Sequence, residues 1–265
     1  MHPMLSIITI NLNNRDGLRK TIESVVSQTS RSFEYIVIDG GSVDGSKELI
    51  ESYGSKITYW QSKKDKGIYN AMNQGIEHAN GEYCLFLNSG DYLLKDAVIE
   101  SVLPYLIEWD LVCGNILFEG LGDEIAESIP PTISLDFMYY ASLWHPATFI
   151  RRSLFRQFGK YNEDFKIAAD YEFFLKLIAG GTIKVKAIEL LVAAHQRDGI
   201  SSLPKFQHLN KQERKWAQKM HLSAKTRRTL AFHYWLQLPF KQKFTFLVRK
   251  TKAGNYLLNL LKALK

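Results

Sequence analysis

Long apolar runs, cysteines and N-terminal targeting features are scarce in this 265-residue sequence. No apolar stretch reaches the ~18 residues needed to cross a bilayer. Only two cysteines occur, Cys84 and Cys113, each inside an apolar run that reads as a buried strand. That usage argues against a disulfide framework and suits a reducing cytosol. The chain enters an apolar run at Leu5 with no basic segment or cleavage motif before it, so no signal peptide is expected. No Cys/His set has zinc spacing, and neither a G-x-S-x-G elbow nor a G-x-x-x-x-G-K-[ST] loop is present. Zinc-module, serine-hydrolase and P-loop chemistries are therefore unsupported. Internal repeats and low-complexity segments are also missing.

What is present is a folded-protein composition, 46% hydrophobic and 23% charged, enough to bury a sizeable core. The formal charge of +7 is unevenly placed. From Lys205 to Lys265 there are fifteen Lys and Arg against one acid, Glu213; the preceding residues hold nineteen bases and twenty-six acids. An acidic body, residues 1–204, thus carries a basic extension, residues 205–265, and the two face different partners.

Within the body, Leu5–Asn11, Phe33–Asp39, Ile57–Gln61 and Tyr83–Leu87 are short apolar runs, separated by helical patterns over Asp16–Gln28, Ser46–Ser52 and Ile68–Ala79. Alternation of this kind predicts βαβ units and an α/β fold with a mostly parallel sheet. In such sheets ligands bind beyond the carboxyl ends of the strands. The runs end in Asn11-Leu12-Asn13-Asn14, Asp39-Gly40-Gly41-Ser42, Asp65-Lys66-Gly67 and Asn88-Ser89-Gly90-Asp91. Each is an ordinary turn sequence taken alone, but four on one edge predict a polar site. Farther on, "WDLVCGNILF" reads as a strand pair, Glu119–Thr132 as a loop, "HPATFIRR" as a strand and Ala168–Ala179 as a helix. "TIKVKAIELLVAAH" reads as one or two strands leading to His195, placed with His145 at loop positions.

The segments "SIITINLNN", "YIVIDGGSVDGS", "DKGIYNAMNQGI", "LFLNSGD" and "IAADYEFFLKL" together resemble the bacterial family 2 glycosyltransferases of the GT-A fold. The resemblance spans roughly residues 4–200 in collinear order. It implies an inverting enzyme of surface polysaccharide synthesis, a nucleotide-sugar donor, most simply a UDP-sugar, and Mg²⁺ or Mn²⁺. On this basis Asp39 corresponds to the carboxylate that accepts the uracil N3–H, a charge-assisted bond that discriminates between bases. Thr9, Asn11, Asn13 and Gly41 surround it at the neighbouring strand ends. Asp65 and Gly67 precede a helix whose free N–H groups suit a diphosphate, although Asn70 stands where family members usually carry an Asp.

"NSGD" resembles the D-x-D turn. Asn88, Ser89 and Gly90 shape it, Asp91 is the carboxylate for the metal, and His195 is a second candidate ligand. Asp170 corresponds to the catalytic base, acting alone because Ala169 replaces the preceding acid; Glu172 is the alternative base. His145 could reach the donor phosphates or the metal, and Arg151, Arg152 and Arg197 remain unassigned. Helix capping or turn formation is the competing reading for each acid, with Asp44 and Ser46 suited to capping the helix after β-run two. A non-catalytic nucleotide-sugar binder and a sugar nucleotidyltransferase are alternative functions.

The basic extension mixes Lys and Arg with Trp, Phe, Tyr and Leu at helical spacing, which suits peripheral attachment to anionic membrane. The expected setting is the cytoplasmic face of the bacterial plasma membrane, with a saccharide or polyprenyl-linked saccharide as acceptor and no nucleic-acid partner.

Overall fold

The computed structural model describes residues 3–120, 123–196 and 204–239. The chain divides into two compact units, residues 1–221 and residues 222–265. The first opens with four parallel strands, β1 (Leu5–Asn11), β2 (Phe33–Asp39), β3 (Tyr59–Ser62) and β4 (Tyr83–Phe86), linked by α1 (Arg15–Val26), α2 (Ser46–Ser52) and α3 (Ile68–His78). Leu18, Ile22 and Val25 recur at helical spacing on α1 and bury against Leu5 and Ile7 of β1. On the other face α3 lies so close that a Cβ at Gly75 would stand 2.4 Å from Ile8 Cγ2.

These strands stand in the order β3-β2-β1-β4. The chain moves outward from β1 through β2 to β3, then returns to the far side of β1. Such a reversal opens a crevice at the carboxyl ends of the two strands that flank it, here β1 and β4. The "NLNN" and "NSGD" segments emerge at that crevice.

The remaining elements are β5 (Tyr92–Leu93), α4 (Val98–Val102), β6 (Leu111–Gly120), β7 (Asp123–Glu127), α5 (Leu135–Tyr140), β8 (Thr148–Arg151), α6 (Ser153–Phe158), α7 (Ala169–Gly180) and β9 (Val185–Gln196). The full path is β3-β2-β1-β4-β8-β6-β9-β5, with β7 paired to β6. Three sequence expectations differ from the structure. "WDLVCGNILF" is not a strand pair but the single strand β6. Gly114-Asn115 resembles a hairpin turn, yet the chain passes through it with register shifts against β9 on both sides of Asn115. The expected loop Glu119–Thr132 contains β7, all of whose residues are exposed, so no buried face marks it as a strand. His195 likewise lies in β9 rather than in a loop.

The basic extension begins with α8 (Gln207–His221), which is part of the first unit, while α9 (Ala224–Gln237) belongs to the second. Residues 240–265, the last part of the basic extension, lie outside the described residues. No described helix is long and apolar enough to cross a membrane.

At the sheet edge opposite the crevice, Glu34 of β2 is buried against Ser6 of β1 and the Asn80-Gly81 turn that leads into β4. It accepts from Ser6 Oγ at 2.6 Å, from the Gly81 N–H at 3.0 Å and from both nitrogens of Asn80. Burial would raise its pKa, but these bonds more than offset that and hold it below the ordinary value of 4.5. Glu34→Gln is expected to cost about 2 kcal/mol of unfolding free energy at neutral pH in urea titrations. A carboxylate depressed by folding contributes its stability above its unfolded pKa and loses it as pH falls through the folded value. The gap between wild type and variant should therefore shrink below pH 4.5; a constant gap would contradict this account.

Candidate active site

The crevice is a cavity of about 570 Å³. From β1 and the start of α1 it receives Asn11, Leu12 and Asn14; from the start of α3, Asp65, Gly67 and Tyr69; from the "NSGD" turn, Asn88, Ser89 and Asp91. The second half of the chain adds His145, Asp170, His195 and Gln196.

Asp91 is placed by pairing. β5 runs antiparallel to β9 with Tyr92 opposite Ala194, which sets Asp91 beside His195. Gly90 makes the turn possible with φ +108°, and its N–H donates to Thr21 Oγ1 at 3.0 Å. Asp91 is 3% exposed. His195 Nδ1 donates to its Oδ1 at 2.7 Å, and His145 Nε2 lies 3.7 Å from Oδ2. Burial alone would raise the Asp91 pKa; the two imidazoles reverse this and hold it far below the carboxylate range.

Asp170 stands in the first turn of α7. The start of this helix is fixed by Glu213 of α8, whose buried carboxylate accepts the N–H groups of Lys166, Ile167 and Ala168 at 2.9, 3.0 and 2.9 Å. The Tyr171 N–H and the Tyr69 hydroxyl donate to Asp170 Oδ1 at 2.8 and 3.2 Å, and His145 Nδ1 donates to Oδ2 at 3.2 Å. Burial opposes ionisation of Asp170, and His145 with these donors overcomes it, leaving the pKa below its usual value. His145 therefore bridges two carboxylates. Burial works against its charge, but hydrogen bonds and attraction from Asp170 and Asp91 raise its pKa to about 9.

Glu172 is excluded as a cavity base. It is buried away from the crevice, hydrogen-bonded to His221 of α8 and 3.7 Å from Lys176 Nζ.

Several sequence-selected residues do not line the cavity. Thr9 is fully buried and bonded to the Tyr35 hydroxyl at 3.0 Å. Asp39 is also fully buried. It takes Asn11 Nδ2, Ser42 Oγ, the Ser42 and Gly41 N–H groups and Ser62 Oγ. Burial pushes its pKa up, and the Ser42, Ser62 and Asn11 bonds bring it below the ordinary range. With five donors on one carboxylate, a base N–H reaches Asp39 only by displacing one of them. Asn13 accepts the Val43 N–H at 2.9 Å, and Gly41 packs against the backbone of Lys64. These groups build the wall behind Asn11.

Asn70 faces a neighbouring cavity, accepting the Lys66 N–H at 3.2 Å and donating to Glu163 at 2.9 Å. Asp44 does serve helix starts, accepting the N–H groups of Ser46 and Arg15 at 3.1 and 2.9 Å. Arg151 is paired with Glu82 and Asp110, and Arg152 donates to backbone oxygens of Gly81 and Asn80. Arg197 lies outside the described residues. Tyr69 and Gln196 were not selected from sequence. Tyr69 is adjacent to Asn70 in "GIYNAMN", but only the fold brings it to Asp170.

Asp91 Oδ2 is buried without a hydrogen-bond partner, while the Asn88 side-chain amide lies 3.1 Å from His145 Nε2. A carboxylate oxygen left unsatisfied at the cavity wall is what a hard divalent cation takes, so the "NSGD" turn fits Mg²⁺ or Mn²⁺. Among the described residues no three His, Cys, Asp or Glu side chains are grouped to hold a metal, so ligand oxygens or water would complete the shell. His195, expected as a ligand, spends its turn-facing nitrogen on Asp91 and orients that carboxylate.

Residues 6–167 match the model of Glycosyl transferase family 2. An uncharacterised glycosyltransferase of Mycobacterium tuberculosis is 38% identical over 182 residues, covering 66% of this chain and 68% of that protein. A PGL/p-HBAD biosynthesis glycosyltransferase of Mycobacterium bovis is 28% identical over 205 residues, covering 74% and 78%. Among solved structures, residues 1–349 of S. aureus TarS in complex with UDP-GlcNAc superimpose with a TM-score of 0.67 at 17% identity, over 90% of this chain and 77% of that one.

Because Glu213 supplies the acceptor for three amides, Glu213→Ala is expected to destabilise the protein by about 2–3 kcal/mol. Thermal melts followed by circular dichroism would check this, and a change within the ±0.5 kcal/mol of a surface substitution would contradict the anchoring of α7 by α8.

Proposed function

This chain belongs to glycosyl transferase family 2 and has the GT-A fold, and from that premise we propose an inverting transfer of a sugar from a UDP-sugar to a hydroxyl of a saccharide or lipid-linked saccharide. The observation that carries the reading is the placement of Asp91 and Asp170 in one cavity, joined by His145. One carboxylate faces the leaving-group side and the other the acceptor side. TarS supports the donor class, since it is solved with UDP-GlcNAc. The mycobacterial relative named for PGL/p-HBAD biosynthesis supports a glycolipid or surface-glycan product.

In this reading the diphosphate lies along the first turn of α3, where Gly67 opens the helix and leaves N–H groups free for an anion. Asp65 accepts the Gly67 N–H at 2.8 Å and shapes that turn. Asp170, ionised and held by Tyr69 and His145, takes the proton of the acceptor hydroxyl as its oxygen forms the bond to the anomeric carbon. The bond to the diphosphate oxygen breaks, and its electron pair leaves with the nucleoside diphosphate. A Mg²⁺ or Mn²⁺ on Asp91 would supply charge neutralisation for that leaving group. A single displacement, in which the acceptor oxygen enters on the face opposite the departing diphosphate, inverts the anomeric configuration.

Thermal shift and turnover test the assignment together. UDP-sugar with Mn²⁺ should raise Tm by mass action, and Asp91→Ala should remove the cation-dependent part of the shift. Asp170→Asn should keep the donor shift while lowering release of UDP by roughly 10²–10⁴-fold. A donor shift without any turnover in wild type would favour a non-catalytic binder, and no shift with any nucleotide sugar would end the reading.

The second unit supports a peripheral membrane site. α9 carries Lys225, Arg227 and Arg228 in its first half and exposed Phe232 and Leu236 in its second. We place the enzyme on the cytoplasmic face of the plasma membrane, where a polyprenyl-linked acceptor would be reached. Co-sedimentation should show binding to vesicles with anionic lipid and little binding to neutral ones; equal pelleting with both, or with neither, would remove this proposal.

A further inference from the structure

A second cavity, of about 240 Å³, adjoins the first and shares His145, Ile167, Asp170 and His195 with it. Phe118, Trp144 and Tyr171 line it, together with Ser142, Asn210 and Arg214. Asp170 thus faces two spaces, and the proposed transfer assigns the larger one to the donor.

Arg214 is the group in this cavity that nothing described so far employs. It projects from α8, half-buried, with its guanidinium 3.9 Å from the centre of the Tyr171 ring and Nη2 donating to the Ala141 carbonyl at 2.6 Å. Among the described residues no carboxylate stands within ion-pair distance of it. The adjacent Glu213 points the other way and is consumed by the amides of α7. Arg151 makes a useful contrast, since it has both Glu82 and Asp110. Burial works against the charge of Arg214, and only Tyr171 and the more distant Asp170 work for it.

A desolvated guanidinium without a counter-charge is costly to keep, and its planar fork matches a carboxylate or phosphate in a bidentate fashion. One N–H is taken by Ala141 and the side chain lines the cavity, where an anion would pair with the rest of the fork. The ring of Trp144 adds an apolar surface suited to the C–H face of a pyranose.

Resting on the transferase reading, we propose that this cavity is the acceptor subsite and that it selects an anionic saccharide. The sugar packs on Trp144, its carboxylate or phosphate pairs with Arg214, and the attacking hydroxyl meets Asp170. A uronic acid and a phosphorylated sugar share this chemistry, and the test separates them.

The full chain would be titrated with methyl β-D-glucuronide, methyl β-D-glucoside 6-phosphate and neutral methyl β-D-glucoside, with binding read by saturation-transfer NMR. At least one anionic glycoside should bind roughly tenfold tighter than the neutral one, the gain expected of one charge-assisted pair. The preferred anion identifies the acceptor class. Arg214→Gln should bring that ligand to the affinity of the neutral glycoside and leave the neutral one unchanged.

Equal affinities of all three for wild type would overturn the proposal, whether or not the variant folds. The Tm shift with UDP is measured alongside. A retained UDP shift with no anion preference sinks the acceptor assignment alone. Anion preference with no UDP shift leaves a saccharide site without a transferase and overturns the acceptor assignment together with the proposed function.

Discussion

Two carboxylates lining one cavity would repel each other, and the His145 imidazole is what lets Asp91 and Asp170 coexist there. Its pKa of about 9 keeps it cationic at neutral pH, so a chain of alternating charge runs across the crevice. The like-charge problem that elsewhere forces one of two acids to hold a proton is solved here by an interposed cation. Everything that positions the chain serves this arrangement. The β5–β9 pairing brings His195 to Asp91, the turn His145–Ala147 before β8 carries the bridging ring, and Glu213 sets the start of α7 beneath Asp170.

The first half of the molecule was legible because its code is local. Apolar runs of strand length alternate with helical patterns, and β1 and β2 occupy the residues those runs indicate. Polar residues at the ends of parallel strands fall at one edge for topological reasons alone. Which of them face the cavity was not legible, because that depends on pairing partners. Thr9 meets Tyr35, twenty-six residues away, and Asp39 is held by nearby Ser42 and by Ser62 of β3, twenty-three residues away.

The second half hides its code differently. β7 has no buried side, so it lacks the alternation that betrays a strand, and Gly114-Asn115 imitates a turn inside a continuous one. Tyr69 and Arg214 come to the centre only through tertiary packing. The single acid among the bases of the extension is the residue that ties α8 to the body, and the net charge of the segment says nothing about where that acid points.

The irregularity in the β6–β9 ladder has a consequence of its own. Side chains alternate faces along a strand, so the three extra residues that β9 carries between the partners of Cys113 and Ile116 decide which face His195 occupies. A deletion of one residue within that stretch would carry Gln196 into the place of His195 beside Asp91. Every chemically important side chain would survive such a lesion, and the centre would still be dismantled. Spacing along β9 is therefore as consequential for this centre as the identity of its side chains.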